Sequence, residues 1–169
     1  WIDLQKKIKK RKHKVKIAVV GKYTNLKDSY KSLNEALVHG GIENSADVDI
    51  QWINSEKENN ISLMKKLKGC DGILIPGGFG IRGINGKINA IKYARENNIP
   101  FFGICLGMQL AVIEIAQNVL KIKNAHSSEF KKTTKSVVGL MTEWVNKNKI
   151  EKRDKNSDKG GTMRLGAYR

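Results

Sequence analysis

Gly103-Ile104-Cys105-Leu106-Gly107 places a cysteine two positions from a glycine on either side, where a short apolar run turns into a helical pattern. Small neighbours allow the tight strand-to-helix turn that lifts a nucleophile above a sheet, the device that G-x-S-x-G provides for serine. A helix N-terminus following the cysteine favours its thiolate, the reactive form. A free cysteine is ordinarily a small buried hydrophobe, and the paired glycines are what set Cys105 apart. Cys70, between Gly69 and Asp71 ahead of an apolar run, lacks that setting and reads as structural.

A thiolate that attacks a carbonyl needs donors aimed at the oxyanion that develops. Gly77 and Gly78, in the loop Pro76-Gly77-Gly78-Phe79-Gly80, can present bare backbone N–H groups from the end of a neighbouring strand, with the N–H of Leu106 as a second donor. Alone, a G-G-x-G loop is equally a turn or a phosphate-binding loop. Such chemistry also needs a base. The three histidines, His13 in a basic tail, His39 at a helix end and His126, read as surface or capping residues.

These groups require a scaffold of alternating strands and helices. Lys16–Gly21, Gly72–Ile75 and Phe101–Ile104 are short apolar runs without alternation, the mark of strands covered on both faces of a parallel sheet. Asp47–Ile53 alternates and adds a strand. Helices are expected from Asp28, as N-cap, to a stop at His39-Gly40-Gly41, then over Ile61–Leu67, Gly86–Glu96 and Leu106–Ala116. Val137–Trp144 reads as a late strand, and Asn146–Lys159 as a polar, mobile loop. The class is α/β.

The chain has 169 residues and a formal charge of +16, with 32 basic against 16 acidic side chains. The excess sits at the ends: +7 over residues 1–16, +8 over residues 121–169 and only +1 between them. Charge so distributed, without groove-reading or base-stacking motifs, indicates solvated tails, so nucleic acid is not an expected partner. Residues 1–15 read as a basic linker and 16–169 as the domain. No apolar run approaches the ~18 residues of a membrane span, no signal peptide is evident, and two cysteines make no disulfide scaffold, so the expected location is the cytoplasm.

Pro76-Gly77-Gly78-Phe79-Gly80, Ala94-Arg95-Glu96-Asn97-Asn98-Ile99-Pro100 and Gly103-Ile104-Cys105-Leu106-Gly107-Met108-Gln109 resemble the triad-type class I glutamine amidotransferases, and within them the glutaminase domains of CTP synthases. Gly21-Lys22-Tyr23, Asp28-Ser29-Tyr30-Lys31-Ser32, Ser127-Ser128-Glu129-Phe130 and Gly160-Gly161-Thr162-Met163-Arg164-Leu165-Gly166 carry the resemblance from Lys16 to Ala167. It implies a flavodoxin-like three-layer sandwich with a mainly parallel central sheet. It implies glutamine as substrate, with ammonia passed to a synthase domain of the same polypeptide that aminates ATP-activated UTP to CTP.

By position, the resemblance makes Cys105 the nucleophile that forms a γ-glutamyl thioester. Gly77, Gly78 and Leu106 surround the oxyanion, and Gly107, Met108, Gln109 and Glu129 line the substrate site. On its type alone Glu129 reads as a solvated or capping carboxylate. Phe79, Arg82 and Arg164 become candidates for a site where GTP activates glutamine hydrolysis. The resemblance implies no metal or cofactor in this domain, ATP and magnesium in the synthase domain, and homo-oligomers at full length.

In the family the histidine–glutamate pair lies in a segment beyond the Arg-Leu-Gly motif, past Arg169. The expectation is therefore the larger, amino-terminal part of the glutaminase domain, inactive alone. The competing readings are another cysteine hydrolase of this fold, such as a γ-glutamyl hydrolase, and a non-catalytic regulatory or assembly module.

Overall fold

The computed structural model describes residues 1–10, 12–24, 27–139, 143–146 and 149–152. Its centre is a four-stranded sheet in the order β2-β1-β3-β4, formed by β1 (His13–Gly21), β2 (Ala46–Asn54), β3 (Gly72–Ile75) and β4 (Phe101–Gly103). All neighbours are parallel, with Ile17 opposite Ile50, Val19 opposite Leu74 and Ile75 opposite Gly103. Parallel pairing requires crossovers. They are supplied by α2 (Lys31–Glu43), α3 (Asn60–Leu67) and α4 (Ile84–Glu96), and α5 (Leu106–Asn118) follows β4.

Strand alternation divides the sheet between two helical layers. Ala18, Val20, Ile53, Ile73 and Ile75 join Leu63, Leu67, Ala90, Ile91, Leu110 and Ile113 in one buried cluster beneath α3, α4 and α5. On the opposite face Val48 meets α2 at Gly41, and Trp52 stacks on Tyr30 with ring centroids 5.3 Å apart. This is the α/β, three-layer, mainly parallel architecture expected. β4 is the sheet edge, and beside it Phe102, Met108, Val112, Ile115 and Val119 stand exposed.

Several boundaries differ from the sequence reading. The first helix does not stop at Gly40-Gly41 but runs to Glu43. Gly41 is a close-approach residue: a Cβ there would lie 2.6 Å from Val48 Cγ2 and 2.8 Å from the Ala46 carbonyl oxygen. Asp28 is not the N-cap. A 3₁₀ turn, Lys27–Tyr30, precedes α2, and Tyr30, fixed by stacking on Trp52, occupies the cap without a side-chain bond.

β1 begins at His13, so this histidine belongs to the sheet rather than to a tail. Within the basic stretch, α1 (Ile2–Lys9) buries no residue and is tied to α2 by Lys7 Nζ, 2.7 Å from Glu43 Oε2. The late strand is two: β6 (Ser136–Val138) pairs with β5 (His126–Ser127), while β7 (Glu143–Asn146) pairs antiparallel with β8 (Lys149–Lys152). The segment read as a loop thus includes a hairpin strand, because Ile150 comes opposite Val145; its remainder lies outside the described residues. Among the described residues no helix is long and apolar enough to cross a membrane.

Candidate active site

Cys105 stands at the carboxyl edge of the sheet, where β4 becomes α5, and it is exposed. Its backbone sits at φ +52°, ψ −108°, a region that costs a side-chain-bearing residue of order 1–3 kcal/mol and persists only where the surroundings enforce it. They do so on both sides. Ile104 N–H donates to the Ile75 carbonyl at 3.0 Å, and Gly107 N–H donates back to the Ile104 carbonyl at 2.8 Å.

Both flanking glycines are there because nothing larger fits. A Cβ at Gly103 would fall 2.5 Å from the Gly107 carbonyl carbon, and one at Gly107 would fall 2.2 Å from the Ile75 carbonyl oxygen. The first turn of α5 thus presses directly on β3 and β4. Leu106 N–H is among the first-turn donors that an α-helix leaves without an internal acceptor.

The Gly77–Gly80 loop, entered from β3 through Pro76, lies beside this turn. A Cβ at Gly77 would be 3.5 Å from Cys105 Cβ, and one at Gly78 would be 3.7 Å from both Leu106 Cδ2 and Lys87 Nζ. Gly77, Gly78, Cys105 and Leu106, singled out from sequence, are therefore assembled at one place. Gln109, half-buried, donates its N–H to the Cys105 carbonyl at 3.1 Å, and Met108 is exposed. Glu129 belongs to another element: it lies in the exposed turn after β5, its N–H donating to Ser127 Oγ at 3.2 Å.

Phe79 projects its ring into solvent, 79% exposed, while its carbonyl accepts from Lys22 Nζ. Arg82 Nη2 donates to Glu56 Oε2 at 2.8 Å, and that bond holds the Glu56 carboxyl below its usual range. Arg164 lies outside the described residues. Cys70 is 7% exposed, with Sγ 3.5 Å from Gln51 Oε1, and burial pushes its thiol pKa up.

None of the three histidines is placed to serve Cys105. In a parallel sheet all strands leave by the same edge, and Cys105 is at that edge. His13 opens β1 at the other edge. His39 is near the end of α2, which returns the chain to the start of β2. His126 follows α5, whose 13 residues carry the chain ~20 Å back from Cys105, and its ring rests edge-on against Phe130. Among the described residues no group of three His, Cys, Asp or Glu side chains is arranged to hold a metal ion.

The sequence reading passed over Lys87. It is 1% exposed, beside the Gly77–Gly78 loop, and burial, then the charge of Lys22, lowers its pKa to about 8. The signal was available: Lys87 follows Ile84 by three positions and precedes Ala90 and Ala94 on the buried stripe of α4.

The family model for glutamine amidotransferase class-I matches residues 25–169. The chain is 57% identical over 158 residues to a CTP synthase of Nitratidesulfovibrio vulgaris, covering 92% of this chain and 29% of that protein. It is 54% identical over 168 residues to a CTP synthase of Nitrobacter winogradskyi, covering 99% and 31%. It thus spans about three tenths of the length of these curated relatives. Among solved structures, the glutaminase domain of Trypanosoma brucei CTPS with bound acivicin is similar at a TM-score of 0.70 and 45% identity, over 75% of this chain and 50% of that one. An elbow cysteine framed by two obligatory glycines, on a parallel sheet and inside a match of this extent, places the chain in the class-I glutamine amidotransferase family.

Proposed function

We propose that this chain is the glutaminase part of a CTP synthase, releasing ammonia from glutamine for ATP-dependent amination of UTP. The observation that carries the reading is Cys105, held at positive φ between Gly103 and Gly107 with the Gly77–Gly78 loop against it. Cys105 Sγ attacks the γ-carbonyl carbon of glutamine. The C–S bond forms, the C–N bond breaks, ammonia leaves with a proton, and water then cleaves the thioester to glutamate. Gly78 and Leu106 N–H groups, with Gly77 shaping the loop, face the tetrahedral oxyanion. Gly107, Met108 and Gln109 line the substrate site, and Glu129 supplies a carboxylate for the substrate ammonium.

In this reading ATP and magnesium serve the synthase part, the full-length protein is a cytoplasmic homo-oligomer, and GTP activates hydrolysis from a site that includes Phe79, Arg82 and Arg164. The similarity to CTP synthases supports it over the alternative hydrolase.

The test is CTP formation by the full-length protein from glutamine or from ammonium. Cys105→Ala is expected to abolish the glutamine-dependent reaction and spare the ammonium-dependent one. Glutamine-dependent synthesis that survives the substitution would overturn the reading.

A further inference from the structure

We propose that Lys22 is a positioning residue that ties the Gly77–Gly80 loop to the end of β1 and so keeps its glycines against Cys105. The inference rests on the glutaminase reading of Cys105. Lys22 Nζ donates to the carbonyl of Phe79, the residue that follows Gly78. Among the described residues this is the one hydrogen bond made by residues 76–80. Lys22 is 8% exposed, so little water competes for its ammonium.

The loop has little else to order it. Gly77, Gly78 and Gly80 lose more conformational freedom on folding than other residues would and bring no side chain to pack. Gly80 sits at φ +74°, the Phe79 ring is exposed, and Gly77 and Gly78 are only half-buried. Against this, a carbonyl held by an ammonium makes a charge-assisted bond, roughly twice as strong as a neutral one.

The end of β1 is a firm anchor. Gly21 pairs with Asn54, and its carbonyl accepts from Ser55 N–H at 2.9 Å. Asn54 Nδ2 donates to the Lys22 carbonyl at 3.2 Å, while Asn54 Oδ1 accepts from Glu56 N–H at 2.9 Å. Tyr30, stacked on Trp52, closes in so tightly that a Cβ at Gly21 would lie 2.5 Å from its hydroxyl oxygen. In the sheet, β1 and β4 flank β3 on opposite sides. The loop that leaves β3 is thus held from the β1 side by Lys22 and presented on the β4 side to Cys105, where a Gly77 Cβ would be 3.5 Å from Cys105 Cβ.

The test uses the full-length protein and Lys22→Met, which nearly keeps the length of the side chain and removes the donor. Glutamine hydrolysis passes through an oxyanion that the loop must face, so kcat is expected to fall about tenfold with little change in KM. Ammonium-dependent CTP formation and alkylation of Cys105 by iodoacetamide make no use of the loop and should stay within about twofold of wild type. Cleavage by chymotrypsin after Phe79, mapped by mass spectrometry, should be about threefold faster or more, because a protease needs the exposed loop to open. Lys22→Gln, with N–H donors on a shorter stem, should lie between wild type and Lys22→Met in both kcat and cleavage.

Unchanged cleavage after Phe79, or an unchanged kcat, overturns the proposal. So does a loss seen only in activation by GTP, which would make Lys22 a nucleotide ligand, and so does a parallel fall in alkylation or failure of both variants to fold by circular dichroism, which would make it merely structural. If Cys105→Ala hydrolyses glutamine as well as wild type, the glutaminase reading itself fails, while the chymotrypsin comparison still decides whether Lys22 holds the loop.

Discussion

Arg95 on α4 grips Glu114 on α5 through two nitrogens, Nε at 3.0 Å from Oε2 and Nη2 at 2.7 Å from Oε1. Glu114 is fully buried, and Asn118 Nδ2 adds a bond to Oε1 at 3.1 Å. The pair fixes the helix that begins at Cys105 against its neighbour. Removing one partner strands a buried carboxylate, so Arg95→Leu is expected to cost about 3 kcal/mol in urea unfolding. The double variant Arg95→Leu, Glu114→Leu should recover most of it, which a simple packing role for Arg95 would not allow.

Iodoacetamide should label Cys105 well before Cys70 in the folded protein. Cys105 is exposed, whereas Cys70 is buried and its thiol is pushed toward the unreactive protonated form. Peptide mapping after brief labelling checks this. Labelling that begins at Cys70 would contradict the assigned elbow.

Two glycine substitutions should move stability in opposite directions. Gly107→Ala drives a methyl to within 2.2 Å of the Ile75 carbonyl oxygen and is expected to destabilise by more than 2 kcal/mol. Gly40→Ala, in mid-helix with nothing within 4 Å of the new methyl, should stabilise by about 0.5–1 kcal/mol. Thermal melts of the two variants decide the matter.

Lys87 predicts an alkaline gain in stability. Its folded pKa of about 8 lies below its ordinary 10.5, so the unfolded chain binds more protons between those values and unfolding becomes harder as pH rises. The penalty present below pH 8, about 3 kcal/mol, should vanish by about pH 10.5. Cys70, whose pKa is raised, works the other way above 9.0. Comparison with Lys87→Met cancels that term: the variant's advantage should be greatest near pH 7 and fade toward pH 10.5.

The purified 169-residue chain should show no useful glutamine turnover. His13, His39 and His126 sit at the edge of the sheet remote from Cys105, so no imidazole is in place to protonate departing ammonia or activate water. Glutamate release measured beside the full-length protein tests this. Comparable rates would mean that one of these histidines reaches the cleft.

The legible part of the sequence was the part governed by local rules. The apolar run at Ile73 marked a buried strand and the glycines around Cys105 marked the elbow, because strand burial and tight turns leave their signature in adjacent residues; the run at Phe101 marked a strand too, but not one covered on both faces, since β4 is a sheet edge and Phe102 is exposed. Gly41 was misread as a helix stop because its small size answers to Val48 and Ala46, partners from the next strand. The split of the late strand into β6 and β7 likewise follows pairing choices invisible along the chain. Lys87 was hidden by its type: a lysine reads as solvated until the fold shows it enclosed.

The all-parallel sheet also governs how the site comes into being. No two neighbouring strands are joined by a hairpin, and central β1 meets β2 and β3 only after α2 and then α3 have been threaded between them. Closure of such long loops precedes any reward from pairing, which places folding on a slow timescale, milliseconds or longer. β4 joins last in chain order and pairs only with β3. The strained backbone at Cys105 is imposed by that final docking. In a nascent or partly opened chain Cys105 lacks this backbone conformation, and the special geometry of this cysteine exists only once the sheet is complete.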